Sequence, residues 1–172
     1  MRKVNIGVEG WGEGAQGDFV GGCHRLKDKA ALVAVCDRVE ERASAAQQRF
    51  GARTYYTDIE RFLRESNAEI VINLTPHKAH VPVSMAALEA GRHVYTEKPM
   101  AQSVDDATQL IEAARAHHVK LACAPVTLLL PTAQRWQHLL RQGVIGGVTF
   151  ARAQLLAPPI WDDFPLDHVW YY

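Results

Sequence analysis

Short apolar runs alternate with helical patterns along residues 4–123, and this alternation constrains the fold more than any other feature of the sequence. The runs are rich in Val, Ile, Leu and Ala, as strands covered on both faces usually are. Strands that alternate with helices form a mostly parallel sheet with helices on both faces, so we predict a doubly wound α/β fold. The predicted strands are Val4–Val8, Leu32–Cys36, Arg53–Tyr56, Ile70–Leu74, His93–Thr96 and Val119–Cys123.

The helical segments begin at recognisable caps or end at glycines. Thr57-Asp58-Ile59-Glu60 has the spacing of a capping box and opens a brief helix through Arg64. Ser103, with Asp106 in the third position, caps a helix over 104–117. Gly51 ends a helix over Val39–Phe50, and Gly91 ends one over 79–90 that has Val81, Met85 and Leu88 on one face.

A glycine-rich segment follows the first strand. Gly10, Gly12 and Ala15 match the pattern G-x-G-x-x-G/A, and Trp11 lies inside this turn. The first glycine permits a tight turn, the second lets the backbone approach a pyrophosphate, and the third small residue allows close helix packing. We therefore predict that these four residues bind a dinucleotide. Glu9 is unexpected at the end of a buried strand, and three glycines within residues 16–25 predict a loosened or late-starting first helix.

Asp37 follows the second apolar run, where an acid can accept hydrogen bonds from the adenosine ribose of a dinucleotide. A carboxylate there favours NAD over NADP, because it repels a 2′-phosphate. Arg38 has the opposite effect, since a guanidinium could accommodate that phosphate. Asp37 also precedes a predicted helix with Glu40 three residues on, so it could cap that helix as well. We predict that Asp37 and Arg38 bind the cofactor, with NAD as that cofactor and NADP as the alternative.

The stretch Gly91–Met100 delivers a lysine to the carboxyl end of the fifth predicted strand. Ligands bind at that edge in open α/β sheets. Pro99 keeps Lys98 out of the helical region, so the lysine lies on extended backbone. From these residues alone, an ordinary surface lysine in a strand-to-helix loop is an equal alternative.

Charge and hydropathy exclude several classes of partner. Lys plus Arg is 19 and Asp plus Glu is 19, without a basic run, so neither nucleic acid nor a membrane is a predicted partner. The absence of a signal-peptide region, of a membrane-length apolar run and of paired cysteine spacings predicts a soluble, cytoplasmic chain. His77 and His80 could form half a metal site, but no Cys or carboxylate with matching spacing accompanies them, so no metal is predicted.

The pattern changes after Ala124-Pro125. A helix containing Trp136 ends at Gly143, a strand-like segment follows over Val148–Leu156, and the remainder is rich in proline and aromatic residues. We predict a Rossmann-like dinucleotide-binding domain over residues 1–123 and the start of a second, incomplete α/β domain over 124–172, which would contribute to substrate binding and oligomerisation. Exposed aromatic side chains favour a homo-oligomer.

With these segments in place, nearly the whole chain resembles the glucose–fructose oxidoreductase, inositol dehydrogenase and rhizopine-catabolism (Gfo/Idh/MocA) family. The resemblance is carried by three motifs in the family's order. They are Tyr56-Thr57-Asp58, the run from Ile72 to His80, and the run from Ala87 to Val94 that leads into Glu97-Lys98-Pro99.

The resemblance assigns roles to the residues of these motifs. In the family, Thr-Pro-x-x-x-His lies along the cofactor, which implies cofactor contacts for Thr75, Pro76 and His80. The Glu-Lys-Pro motif contacts the nicotinamide ribose and the substrate, which implies the same for Glu97 and Lys98, and its proline is often cis.

The resemblance also implies an NAD(P)-dependent oxidoreductase that transfers a hydride between nicotinamide and a sugar, polyol or related hydroxy compound. Lys98 is the predicted catalytic residue, since a cation stabilises alkoxide character at the reacting oxygen. Ala124–Thr127 and Gly143–Gly146 resemble the family's passage into its second domain, which supplies the substrate pocket. Because the chain stops at Tyr172, about where that domain's glycine-rich segment begins, we expect cofactor binding with feeble turnover.

Two other classes of function compete with this one. A non-catalytic dinucleotide-binding module or redox sensor is favoured by the short length, by Glu9 and by the glycine-rich first helix. A methyltransferase could use the same glycine turn and acidic ribose contact. The Thr-Pro…His and Glu-Lys-Pro segments argue against a methyltransferase.

Overall fold

A computed structural model of the chain describes residues 2–12 and 25–154, apart from the side chain of Val126. The strands in this part of the chain are β1 (Val4–Glu9), β2 (Ala30–Cys36), β3 (Thr54–Tyr56), β4 (Ile70–Asn73), β5 (His93–Thr96) and β6 (Leu121–Cys123). The helices are α1 (Glu40–Phe50), α2 (Ile59–Glu65), α3 (His77–Glu89), α4 (Val104–Ala116) and α5 (Pro131–Arg141), and a 3-10 turn covers Val126–Leu129.

The strands pair in the order β3-β2-β1-β4-β5-β6, and every pairing is parallel. The predicted doubly wound α/β fold is therefore confirmed. In register, Glu9 of β1 is opposite both Cys36 of β2 and Asn73 of β4, and Asn73 is opposite Thr96 of β5. The carboxyl ends of these four strands thus meet at one edge. The chain changes direction across the sheet between β1 and β4, and such a switch point is where open α/β sheets bind ligands.

Each face of the sheet has its own hydrophobic cluster. Successive strand side chains point to opposite faces, so Val71 belongs to one cluster and Ile72 to the other. Phe62, Leu88 and Leu110, from α2, α3 and α4, are fully buried in the first cluster, and each such side chain contributes about 1.5–3 kcal/mol to folding. The second cluster contains Trp11 and the inner side of α1. These clusters hold the helices against the sheet and fix the loops at its carboxyl edge.

Several local predictions are confirmed and two need correction. The Oγ of Ser103 accepts the N–H of Asp106 at 3.1 Å, as expected of the α4 cap. The cap of α2 is Asp58, whose Oδ1 accepts the N–H of Arg61 at 2.8 Å, and not Thr57. Helix α3 begins at His77, two residues earlier than predicted, because Pro76 has a φ of −60° and can lead directly into the first turn.

The chain divides into two compact units, one through Pro125 and one from Val126. In the second unit, none of the described residues of α5 is buried. The helix ends before Gly143, as predicted, and Gly143 has a left-handed conformation. The strand predicted over Val148–Leu156 is wrong for residues 148–154, which are not in a strand. A strand requires a pairing partner, and the described part of this unit contains no other strand to supply one. The last two residues of that prediction, and the predicted first helix up to residue 24, lie outside the described residues.

Among the helices of the described ranges, none has both the length and the apolar character that crossing a membrane requires.

Candidate functional site

The backbone of Thr75, just after β4, lies directly against Gly10, just after β1. Gly10 has a φ of 86°, in the left-handed region that favours glycine. A Cβ at this position would lie 2.6 Å from the backbone nitrogen of Thr75 and 2.7 Å from its Cα. Conformation and close approach therefore both require glycine. Among the described residues, none lies within 4 Å of a Cβ at Gly12, so these residues leave space beside the second glycine.

Asp37 connects the loop after β1 to the loop after β2 through hydrogen bonds. Its Oδ2 accepts the backbone N–H of Trp11 at 2.7 Å, and its Oδ1 accepts that of Val39 at 2.9 Å. The carboxylate is buried. Asp37 is not the N-cap of α1, since Val39 occupies that position without a side-chain cap, so the predicted capping role is wrong. A ribose contact by the same carboxylate stays a prediction.

Asn73, the last residue of β4, organises the loop that follows. Its side-chain amide is fully buried and donates to the carbonyl of His80 and to the Oγ of Ser84, both at 3.0 Å. Its Oδ1 accepts from the Oγ1 of Thr75 at 2.6 Å and from the N–H of Thr75 at 3.2 Å. All four contacts act on Thr75 or on α3, so Asn73 fixes the position of Thr75 against Gly10.

His80 lies one turn into α3, with only 1% of its surface exposed. Its Nε2 is 2.7 Å from the carbonyl oxygen of Thr75, and its Nδ1 is 2.6 Å from the carbonyl oxygen of Pro99. The ring therefore bridges the loop after β4 and the segment after β5. Both ring nitrogens already have protein partners, and the cofactor contact that the family resemblance implies for this side chain stays a prediction.

The segment after β5 carries Glu97 and Lys98. The Oε2 of Glu97 accepts the backbone N–H of Lys98 at 3.0 Å, and the N–H of Glu97 donates to the carbonyl of Asn73 at 3.0 Å. The peptide bond between Lys98 and Pro99 is cis, as the family resemblance implied. The Lys98 side chain is exposed, and no carboxylate among the residues that the structure describes forms an ion pair with it. Its ammonium group can therefore face a ligand.

His77 belongs to the same group of charges. Its ring centroid is 5.6 Å from that of His80. Partial burial lowers the pKa of His77, and repulsion from His80 and Lys98 lowers it further, while the Glu97 carboxylate acts in the opposite direction. At this carboxyl edge, the Lys98 ammonium and the Glu97 carboxylate thus act on His77 with opposite signs.

Glu9, at the end of β1, is a buried acid beside this edge. Burial raises the pKa of its carboxyl to about 7, and the neighbouring carboxylates of Asp37 and Asp58 add to that effect. A hydrogen bond with the Cys36 thiol lowers the pKa in part. Among the described residues, none forms a hydrogen bond with its Oε2. Burial also raises the pKa of the Cys36 thiol, so that thiol stays protonated.

The structure brings most of the predicted site residues to one edge of the sheet. Gly10, Asp37 and Glu97 directly follow β1, β2 and β5, Thr75 lies two residues after the end of β4, and Arg38 is exposed beyond β2. Trp11 is buried, with its ring centroid 4.9 Å from that of Phe50, and the described residues leave space beside its neighbour Gly12. Pro76 is the N-cap of α3. Ala15 lies outside the described residues.

Two residues of this network were not predicted. Asn73 carried a usable signal, because an amide inside an apolar strand must find hydrogen-bond partners when buried. Ser84 carried none, since a serine on a helix is usually exposed.

Comparisons with known proteins agree with this geometry. Residues 4–124 match the model of the Gfo/Idh/MocA family, described as "Oxidoreductase family, NAD-binding Rossmann fold". Oxidoreductase P35 of Formosa agariphila is 29% identical over 153 residues, which are 89% of this chain and 47% of that protein. Trans-1,2-dihydrobenzene-1,2-diol dehydrogenase of Mus musculus is 30% identical over 138 residues, which are 80% of this chain and 39% of that protein.

A solved structure shows the same likeness. The WlbA dehydrogenase from Bordetella pertussis, in complex with NADH and UDP-GlcNAcA, superposes with a TM-score of 0.78 at 30% identity, covering 84% of this chain and 44% of that one. The chain thus spans less than half the length of these relatives. By its sequence match and its parallel sheet, the chain belongs to the Gfo/Idh/MocA oxidoreductase family, whose members bind NAD through a Rossmann fold.

Proposed function

We propose that the carboxyl edge of the sheet binds NAD at the β1–β4 switch point. In this proposal the chain serves an NAD-dependent oxidoreductase that acts on a sugar, polyol or related hydroxy compound. The observation that carries the proposal is the contact between Gly10 and the Thr75 backbone. That contact brings main-chain groups to the place where a pyrophosphate approaches in this class of fold.

The residues present fit a dinucleotide. None of the described residues fills the space beside Gly12, and this supports room for phosphates next to the turn that Asp37 holds in place. The exposed Arg38 would contact the adenosine end, and Thr75 and Pro76 would lie along the middle of the molecule. Glu97 and Lys98 would lie at the nicotinamide end. The bound nicotinamide supplies the hydride chemistry, and the chain supplies position and charge.

Lys98 would be the catalytic residue. Its ammonium group is exposed and has no ion-pair partner in the described part of the chain, so it is available to a substrate hydroxyl. A positive charge beside that oxygen stabilises the alkoxide character that develops as the carbon–hydrogen bond breaks. Glu97 holds the Lys98 backbone and leaves the ammonium group free to act on the ligand.

The substrate class rests on relatives. An inositol 2-dehydrogenase of Salmonella typhimurium is 37% identical over 83 residues, which are 48% of this chain. The WlbA dehydrogenase structure contains UDP-GlcNAcA. Both names point to compounds rich in hydroxyl groups. The cytoplasmic location inferred from composition remains part of this proposal.

Calorimetric titration of the chain with NADH, and separately with NADPH, tests the binding step. We expect saturable binding, tighter for NADH. Gly10→Ala should weaken the binding of both cofactors by about tenfold or more, equivalent to about 1.4 kcal/mol. Gly51→Ala is the matched control, because Gly51 also has a positive φ but a Cβ there meets nothing within 4 Å. A folded chain that binds neither cofactor would contradict the proposal.

Turnover is a separate measurement. The chain is assayed with inositol and with UDP-linked sugar acids, and Lys98→Met is compared with Lys98→Arg. Loss of turnover in the Met variant, with a much smaller loss of NADH affinity, is the expected result for a catalytic cation. NADH binding by the unaltered chain without turnover on any polyol or sugar would favour the non-catalytic dinucleotide-binding module.

A further inference from the structure

The ring of His80 connects two loops that carry the predicted site. One carbonyl that it contacts belongs to Thr75, whose backbone lies against Gly10. The other belongs to Pro99, directly after Lys98. The two contacts are 2.7 and 2.6 Å long, and the ring is almost completely buried. Water therefore does not compete for either nitrogen, and the ring's partners are these two oxygens.

The two carbonyl oxygens determine how many hydrogens the ring nitrogens of His80 must carry. A carbonyl oxygen only accepts hydrogen bonds, whereas a neutral imidazole has one N–H and one bare nitrogen. With either neutral tautomer, a lone pair would face a carbonyl oxygen at hydrogen-bond distance, in a buried place where an unmade hydrogen bond is costly. Only the ring with hydrogen on both nitrogens satisfies both contacts.

We propose that His80 is a positioning residue that holds hydrogen on both ring nitrogens and ties the Glu97-Lys98-Pro99 segment to the Thr75 loop. The side chain does not touch the reacting atoms in this proposal. It sets the distance between Lys98 and the Gly10–Thr75 contact, and so between the catalytic cation and the pyrophosphate position. The consequence for catalysis rests on the proposed function, but the connection that His80 makes between the two loops does not.

The surroundings hold the ring in place from several elements. The His80 main chain is fixed by Asn73, whose amide donates to the His80 carbonyl at 3.0 Å. The titratable groups that surround the tie are His77 on the same helix and Glu97 and Lys98 on the segment after β5, and all three interact electrostatically there. The Thr75 loop contributes polar main chain only.

Nitrogen NMR of the full chain without cofactor tests the protonation directly. Correlations between the ring nitrogens and carbons distinguish a nitrogen with hydrogen from one with a lone pair. We expect both His80 ring nitrogens to carry hydrogen when the ring contacts both carbonyl oxygens. A ring with one bare nitrogen in the folded chain would overturn the proposal.

Two substitutions separate the two contacts. The amide nitrogen of Asn can replace Nδ1, and that of Gln can replace Nε2. His80→Gln should therefore lose the Pro99 contact and raise amide exchange at Glu97 and Lys98 by about tenfold, the effect of one buried hydrogen bond. His80→Asn should keep that contact and raise the same exchange by less than about threefold.

His93→Gln is the control, because His93 accepts a hydrogen bond from the N–H of Lys120 at the opposite end of β5. Equal exchange in the Gln and Asn variants would indicate a merely structural role and overturn the proposal. If the unaltered chain fails to bind NADH, the proposed function fails, while the ring spectrum and the exchange rates still decide whether the tie exists.

Discussion

The carboxylate of Asp37 accepts the backbone N–H of Trp11 at 2.7 Å, which joins the glycine turn after β1 to the end of β2. Its second oxygen accepts the N–H of Val39 at 2.9 Å. An acid at this place in the fold usually forms hydrogen bonds with the ribose of a dinucleotide. Here the same acid also holds the turn that would receive the pyrophosphate, so its removal acts on two parts of the site.

Asp37→Asn therefore distinguishes two roles of the carboxylate, which are to hold the glycine turn in place and to select NADH over NADPH. The amide can accept only one of the two N–H groups, so we expect a loss of stability of about 1–3 kcal/mol. If the carboxylate chiefly holds the turn in place, the affinities for NADH and NADPH fall together. If the carboxylate chiefly rejects a 2′-phosphate, NADPH affinity rises. Calorimetry with both cofactors measures the ratio of the two affinities.

Glu69→Gln provides the matched control for that experiment. Glu69 accepts the N–H of Asn5 at 2.9 Å at the opposite edge of the sheet, so it has the same chemistry away from the site. Its substitution should lower the free energy of unfolding without changing either cofactor affinity.

Glu9 should make the protein less stable as pH rises. Burial raises the pKa of its carboxyl from 4.5 to about 7, so the folded chain holds this proton more tightly than the unfolded chain does. The stabilising contribution is complete below about pH 4.5 and is lost as pH rises through about 7, with a total change of about 3 kcal/mol.

Glu9→Gln removes that titration. Denaturant unfolding at a series of pH values should show a flatter profile for this variant, and greater stability than the unaltered chain above about pH 7. Glu65→Gln is the control, since Glu65 lies in an exposed pair with Arg61 and its removal should leave the profile unchanged. Parallel profiles for Glu9→Gln and the unaltered chain would show that Glu9 does not titrate in this way.

Asn73→Ala should be among the most destabilising substitutions in the first unit. It removes the hydrogen bonds that the Asn73 side chain makes with Thr75, with the His80 carbonyl and with the Ser84 hydroxyl, in a buried or half-buried place. We expect a loss of about 2–4 kcal/mol by denaturant unfolding, since each unsatisfied buried group costs about 1–3 kcal/mol. Ser84→Ala removes one of these contacts and should cost less than half as much. Similar costs for the two variants would contradict this account of the network.

The second unit should promote self-association. Several of its large apolar side chains are exposed, including Leu128, Trp136, Ile145 and Phe150. Sedimentation at several concentrations should show reversible association, weakened roughly tenfold by Trp136→Gln, since buried tryptophans contribute strongly to interfaces. Val104→Gln, which changes an exposed valine in the first unit, should have no effect. Monomer at every concentration would remove the basis for a homo-oligomer.

Local sequence patterns were sufficient for the sheet but not for the contacts at its edge. The strand patterns predicted each strand in the described part of the first unit within two residues, because burial on both faces leaves a signal in the sequence. The contact of Gly10 with Thr75 joins residues 65 positions apart and depends on β4 pairing directly with β1. No local pattern encodes that neighbour relation.

Side-chain partners were the least predictable part. Asp37 was predicted to accept hydrogen bonds from a ribose, and the partners that the structure shows are main-chain groups whose positions depend on the turn. His80 was identified through its motif, and only the structure places carbonyl oxygens on both sides of its ring. The strand predicted from Val148 failed for a related reason, since apolar alternation describes one strand and not the partner that it needs.

The closest approach at the switch point is made by main chain, from Gly10 on one side and Thr75 on the other. Every amino acid except proline presents the same amide and carbonyl groups there. Evolutionary drift of the surrounding side chains can therefore alter the rim of this site, and with it the choice of ligand, while the pattern of donors and acceptors at its centre persists. Gly10 is the exception, because any side chain at that position would separate the two loops.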